Sequence, residues 1–450
     1  MKFLNKQFTQ ETLKLALPVM LTQVGQVSVN LFDNIIVGKL LGAKALAAVS
    51  LGNAMFFSIF IFGLGFSLAI PPLVSEAHSQ HDHNRINSIF RHGFVVNIIL
   101  AFVLMLLIFG IIPLMPYLNQ PKEILPDTIT FLSIVTLSII PFMIFQTMRE
   151  VSEGLSFTIG VTKATIFANI INVILNYVFI ENFKMGVAGS AWATFIARVA
   201  MMVFLYYVLI KEEKTRRYIK DFSLKIKDFS KEMFEKLIRL GFPTALQLFF
   251  EVTAFAGAAF ICGLISAKDI AAHQIALSMA SFTFNLCVGF SVASTVMIGR
   301  KLGEKDFVNL EKVGFNNLKI AFIFMLMCGL VFILGKDVLP TFFTKKEDIA
   351  VVELASQLMI IAALFQLSDG IQVTALSCLR GIQDVKIPSI LTFIAYWVIT
   401  SPLCYYLTVP MKMGAFGMWI ALGIGLTISA VLLVIRFRNL SEKRIKAQSN

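Results

Sequence analysis

Three carboxylates stand inside stretches of sequence otherwise given over to apolar side chains. Asp33 lies in VSVNLFDNIIVG, Glu251 in ALQLFFEVTAFAG and Asp369 in LFQLSDGIQVTAL. Each has polar company three, four or seven residues away, the spacing that shares a helix face. Asp33 is joined by Asn30 and Gln26, Glu251 by Gln247 and Thr244, and Asp369 by Gln366 and Gln372. A further stretch adds Asn172 and Asn176, one turn apart, with Asn169 and Tyr177 nearby. Carboxylates among amide and hydroxyl oxygens can exchange a proton, since burial favours the protonated form. They can also hold a Na⁺ ion, or an organic cation that competes for the same charge. Polar stripes also serve simply to join helices, at about 0.6 kcal/mol per hydrogen bond, but Asn and Gln do that without a charge. An acid in mid-span costs at least about 2.5–3.5 kcal/mol. No Lys or Arg lies at mid-depth in the same stretches to pair with these three, so their expected role is cation or proton binding.

The elements that must position them are membrane spans. Of 450 residues 57% are hydrophobic and only 15% charged, and the mean hydropathy is +0.80. A soluble domain has about a quarter of its residues charged. Apolar runs cover 13–38, 46–74, 90–115, 128–152, 163–182 and 187–210, then 236–264, 270–298, 315–335, 350–376, 386–408 and 413–436. Each is near or above the roughly 20 residues that a helix needs to cross the hydrocarbon layer. Helices satisfy their own backbone there, and the short alternating segments of a membrane β-barrel are not seen. The expected fold is an all-α polytopic membrane protein with twelve transmembrane helices.

Charge sets the orientation. The net charge is +12, with Lys and Arg gathered on alternate loops: Arg85/Arg91, Lys211 to Arg239, Arg300/Lys301/Lys305, Arg380/Lys386 and Arg436 to Lys446. The other loops are poorer, apart from Lys336 to Lys346. This positive-inside pattern puts both termini in the cytoplasm. Lys2 and Lys6 precede a long run without a signal-peptidase site, which reads as an uncleaved first span. No basic soluble domain is present to bind nucleic acid. The five cysteines fall in apolar runs without CxxC spacing and read as small buried residues. His78-Ser79-Gln80-His81-Asp82-His83 sits in a polar loop where metal spacing is more often incidental. No Gly-rich phosphate loop and no Ser/His/Asp set is visible, so an enzyme is not expected and no cofactor is required beyond a coupling ion.

The two halves resemble each other at an offset of 224–228 residues. Ala16-Leu17-Pro18 matches Gly241-Phe242-Pro243, Ala47-Ala48 matches Ala271-Ala272, and Gly65-Phe66-Ser67 matches Gly289-Phe290-Ser291. Asp82 matches Asp306, and MGVAGSAW at 185–192 matches MGAFGMW at 413–419. Six spans per half return the second half with the same orientation, giving parallel repeats in two pseudo-symmetric six-helix bundles around a central cleft. The expected domains are an N-terminal lobe 1–210, a cytoplasmic linker 211–235 suited to anionic headgroups, a C-terminal lobe 236–436 and a tail 437–450. Arg198 suits snorkelling or an interhelix bond better than a place in the cleft. Arg149, Glu150 and Glu153 suit mutual pairing. Phe250, Phe255, Phe282, Phe284 and Phe365 lie near the acids and can hold flat cations, though with 43 Phe in the chain packing is their ordinary use.

The chain resembles the multidrug and toxic compound extrusion (MATE) family, NorM-like branch, over nearly its whole length. The resemblance rests on DNIIVGKLLGAKALAAVSL after Asp33, LQLFFEVTAFA around Glu251, IAAHQIAL followed by GRKLGEKD, and FQLSDGIQVTALSCLRGIQD around Asp369. It implies two six-helix lobes that rock between inward- and outward-open states in the cytoplasmic (inner) membrane, exporting organic, mostly cationic drugs or dyes in exchange for Na⁺ or H⁺. It assigns Glu251 and Asp369 to the C-lobe cation site, and Asp33 with Asn172 and Asn176 to an N-lobe polar cluster. Relatives can carry Tyr where this chain has Phe365, which removes one possible oxygen ligand. A monomer is expected. The rival reading is a flippase for lipid-linked saccharides or lipid precursors, but an anionic pyrophosphate lipid calls for several buried Arg or Lys, and the buried charges here are mainly acidic.

Overall fold

The computed structural model describes residues 4–117, 121–225, 228–263, 265–343 and 349–449. Lys345 and Lys346 of the Lys336 to Lys346 cluster lie outside the described residues. Among the described residues every regular element is helical. The helices are α1 Lys6–Leu41, α2 Ala43–Ser79, α3 His83–Tyr117, α4 in two pieces (Leu125–Leu137 and Ile139–Gly154), α5 Ile159–Asn182 and α6 Gly186–Lys211. A short α7, Glu213–Lys220, follows. The rest are α8 Lys231–Gly263, α9 Ala267–Gly303, α10 Phe307–Leu334, α11 Ile349–Gly381, α12 Lys386–Thr408 and α13 Gly414–Ser449. Eleven are long and apolar enough to cross a membrane, and the bent α4 makes twelve, the number that the apolar runs predict. Even α12, at 23 residues, reaches about 35 Å at 1.5 Å per residue.

The span over the run 128–152 is bent. The chain breaks at Ser138 and the two pieces of α4 meet at 42°. Pro141 follows the break and lacks the N–H that closes onto the carbonyl four residues back, so the ladder opens there.

The duplication is visible in the backbone. Asp82 and Asp306, 224 positions apart, cap α3 and α10 by accepting from Arg85 N at 2.9 Å and Asn309 N at 3.2 Å. The residue before each takes a positive φ, 57° at His81 and 56° at Lys305. The same holds for Ser156 and Gln383 (65° and 63°), Lys184 and Lys412 (53° and 57°), and Gly186 and Gly414 (59° and 56°). Left-handed backbone is costly for non-glycine residues, so its return at a 224–228 offset marks a shared local fold.

Compactness divides the chain into Leu21–Ala245 and a second unit of Met1–Met20 with Leu246–Asn450. The cuts run through α1 and α8, two residues beyond Pro18 and its repeat partner Pro243, instead of through the 211–235 segment. The lobes 1–210 and 236–436 therefore each exchange one opening helical segment. In the second unit, Thr12 Oγ1 lies 2.6 Å from Asn317 Oδ1, Asn5 N donates to Asn316 Oδ1 at 2.9 Å, and Arg300 pairs with Glu11 at 2.7 Å. Gly289 makes room for this approach, since a Cβ there would lie 2.8 Å from the Ala16 carbonyl oxygen. Leu21–Ala245 has its own core of Val37, Phe56, Phe60, Leu104, Leu132, Met143 and Ala191.

The linker is docked within the first unit. Tyr218 of α7 is buried and its hydroxyl lies 2.8 Å from His83 Nδ1. Phe222 packs on Phe90 and Phe94 at 4.9 and 5.2 Å, Arg91 pairs with Asp228 at 3.2 Å, and Ser230 N donates to His92 Nε2 at 2.9 Å. Arg149 and Glu153 pair at 2.7 Å along one face of α4, as neighbouring opposite charges should.

Candidate functional site

Each unit holds its own acid. In Leu21–Ala245, α1 carries Asp33, which is buried, and Asn176 of α5 donates to its Oδ1 at 2.6 Å. Asn176 also reaches Asn172 Oδ1 at 3.3 Å, and Asn172 Nδ2 approaches Thr194 Oγ1 of α6 at 3.5 Å. Asn169, on the same face, donates to Gly25 O at 2.9 Å and ties α5 to α1. The expected trio of Asp33, Asn172 and Asn176 is thus one connected chain. Gln26 and Asn30 make no hydrogen bond in it among the described residues, and Asn30 is exposed. The buried Asn176 Oδ1 has no protein partner. It is a free oxygen beside the carboxylate, the kind of ligand a hard monovalent cation takes.

Arg198 of α6 belongs to the same unit. Its Nη1 donates to Ser138 Oγ, in the break of α4, at 2.7 Å. The guanidinium lies 4.8 Å from the Phe56 ring centre and 5.2 Å from that of Phe142. This is an interhelix bond, one of the two readings the sequence favoured.

In the second unit, α8 carries Glu251 and α11 carries the buried Asp369. Tyr396 of α12 is buried in the cluster: its hydroxyl donates to Gln372 Oε1 at 3.1 Å, and Glu251 acts on it electrostatically. Gln366 Oε1 accepts from Thr283 of α9 at 2.9 Å. Gln366 and Gln372, three residues to either side of Asp369, therefore fasten α11 to its neighbours and leave the acid between them. Gly370 lets α10 come close, since a Cβ there would lie 2.5 Å from Met325 Cγ. Gln247 is buried without a hydrogen bond among the described residues. Neither Glu251 nor Asp369 makes an ion pair with a described residue. The charge acting on Asp369 is Glu251, and the cation whose field reaches Glu251 is Arg380. An acid buried without an ion pair carries a large cost in its charged form, which a bound proton or cation would relieve.

Tyr396 and Thr194 are absent from the polar stripes of the sequence. Subtracting the repeat offset places Tyr396 between 168 (396 − 228) and 172 (396 − 224), the polar face of α5 that carries Asn169 and Asn172. The duplication places Tyr396 level with this part of α5, and contact across helices identifies its role.

A family model described as MatE matches residues 18–178 and 243–406. The chain belongs to the MatE family. It is similar to the probable multidrug resistance protein NorM of Agrobacterium fabrum, 33% identical over 97% of this chain and 94% of that protein. It is also similar to the multidrug resistance protein NorM of Photobacterium profundum, 31% identical over 96% of this chain and 95% of that protein. Among solved structures, a MOP superfamily transporter from Pyrococcus furiosus superposes with a TM-score of 0.88 at 20% identity, covering 97% and 96% of the two chains. A eukaryotic MATE transporter gives 0.88 at 16% identity over 98% and 99%. In this MatE protein Phe365 is buried against Trp419 and Phe255, at 5.4 and 6.1 Å between ring centres. It supplies packing, and the oxygen beside the acids comes from Tyr396 on another helix. Phe250 packs on Phe393 at 4.8 Å, while Phe282 is exposed.

Proposed function

We propose that this MatE-family chain is a secondary active multidrug exporter, which exchanges Na⁺ or H⁺ for organic, mostly cationic compounds by alternating access. Glu251 and Asp369 bind the coupling ion, and Asp33 with Asn172 and Asn176 forms the second cation-binding cluster. The observation that carries the reading is the pair Glu251 and Asp369, held inside one unit by Tyr396, Gln366 and Gln372 with no ion-pair partner among the described residues. A structural role gives no reason to keep two uncompensated acids within the spans, one of them buried. The names of the NorM relatives support the drug substrates. The alternation of basic loops supports a cytoplasmic membrane location with both termini inside, and a monomer accounts for the site, since each cluster is built within one chain. A flippase for anionic lipid-linked saccharides fits less well, because Glu251, Asp369 and Asp33 outnumber the basic side chains beside them.

The test is efflux of a fluorescent organic cation from proteoliposomes, with Na⁺ and pH gradients imposed separately. One gradient drives efflux in the parent protein. Glu251→Gln and Asp369→Asn each lower it at least about tenfold while the protein still inserts and folds. Full efflux in both variants overturns the site, and no efflux under either gradient overturns the exchange.

A further inference from the structure

Arg198 has no task in the exchange as described. Its guanidinium is fixed from three helices: one edge by Ser138 Oγ of α4, and its faces by Phe56 of α2 and Phe142 of α4, with α6 supplying the backbone. Cation–π contact of this kind holds a guanidinium without cancelling its charge. Arginine usually meets a buried carboxylate in a bidentate pair, yet Arg198 forms no ion pair with a described residue, although Thr194, one turn before it on α6, ends the hydrogen-bonded chain that starts at Asp33 and runs through Asn176 and Asn172. The carboxylate instead takes its hydrogen bond from the neutral amide of Asn176. The arrangement keeps a permanent positive charge near the acid but off it.

We propose that Arg198 is a positioning residue for the exchange, a tethered cation that competes electrostatically with mobile cations at Asp33 and keeps their binding there weak enough to reverse. This rests on the reading of Asp33 as a cation site. A cation arriving at Asp33 is drawn by the carboxylate and repelled by a guanidinium that cannot leave. Removing that charge deepens the well, and the cation stays. At separations of about 10 Å and a protein-like effective dielectric, the repulsion corresponds to roughly tenfold in affinity. Lysine retains the charge but loses the planar fork, so it separates the electrostatic role from a purely packing one.

The experiment is equilibrium binding of radiolabelled tetraphenylphosphonium, a permanent organic cation, to the full chain in detergent at fixed ionic strength and a fixed alkaline pH, where protons do not compete for the carboxylate. Arg198→Gln and Arg198→Met, the latter keeping bulk between the two rings, bind it about tenfold more tightly than the parent. Arg198→Lys binds it as the parent does. The gain vanishes when Asp33→Asn is added. Equal affinity in the parent and both neutral variants overturns the inference. So does a gain that survives in the Asp33→Asn background, a gain shared by Arg198→Lys, or an absence of binding in every form. Efflux by the parent in liposomes reads the exchange separately, so its failure there is told apart from a failure of Arg198 to govern binding.

Discussion

Asn176 Nδ2 lies 2.6 Å from Asp33 Oδ1, an amide on α5 donating to a carboxylate on α1. The contact joins two helices through the acid, and it turns the remaining amide oxygen, which has no protein partner, toward ligand duty. Asn176→Leu removes donor and oxygen together. It should destabilise the protein by about 1–3 kcal/mol, the usual cost of leaving a buried polar group unpaired, and lower gradient-driven efflux at least about tenfold. Adding Asp33→Asn should recover much of the stability and none of the efflux. Thermal unfolding in detergent and liposome efflux read the two effects, and an Asn176→Leu variant with parental efflux would refute the assignment.

Tyr396 offers a cleaner separation of packing from ligation. Its ring packs on Phe255 at 5.9 Å while its hydroxyl donates to Gln372 Oε1 at 3.1 Å. Tyr396→Phe keeps the ring and deletes the oxygen. Stability should fall by no more than about 1.5 kcal/mol, the net worth of a hydrogen bond. The driving-ion concentration for half-maximal efflux should rise several-fold, with the maximal rate largely kept. An unchanged ion dependence would show that the hydroxyl is not part of the ion site.

Outside the membrane, Asp306 gives a pH prediction. Partial burial pushes its carboxyl up, but the Asn309 hydrogen bonds and the Lys301 ammonium outweigh this and hold it below the ordinary 3.8. A depressed folded value means that the stabilisation is present above the unfolded value and is lost as pH falls through the lower folded one. Asp306→Ala should therefore lower the unfolding temperature at neutral pH, by the equivalent of about 1 kcal/mol for a lost N-cap. The difference from the parent should close as the pH falls below the ordinary 3.8 and through the depressed folded value. A gap of the same size at both ends of the range would rule out the ionised cap as its source.

The acids were legible because a charge in an apolar run is conspicuous by its cost. Asp33, Glu251 and Asp369 needed no structure to be noticed, and the glutamines flanking Asp369 follow from helical spacing alone. Tyr396 was not legible in this way. A tyrosine in ILTFIAYWVIT looks like packing, and only contact across helices shows what its hydroxyl meets. The twelve spans and the repeat also follow from pattern, since hydrophobic length and constant offset are properties of the chain itself. The break at Ser138 and the cuts inside α1 and α8 are not, because a proline permits a bend without specifying which neighbours the two sides will choose.

Those cuts bear on the order in which the protein is made. The opening turns of α1 are synthesised well before their polar partners, which lie far down the chain: Asn5 pairs with Asn316 across 311 residues, and Thr12 meets Asn317 across 305. At roughly 5–20 residues per second, those partners emerge some 15–60 s later. During that time Asn5, Thr12 and Glu11 must remain at the membrane surface without the groups they are shaped to meet. A truncated chain ending before α9 would leave this segment permanently unmatched. Docking of the start of α1 therefore waits on α9 and α10, and an incomplete product leaves Asn5, Glu11 and Thr12 without these partners.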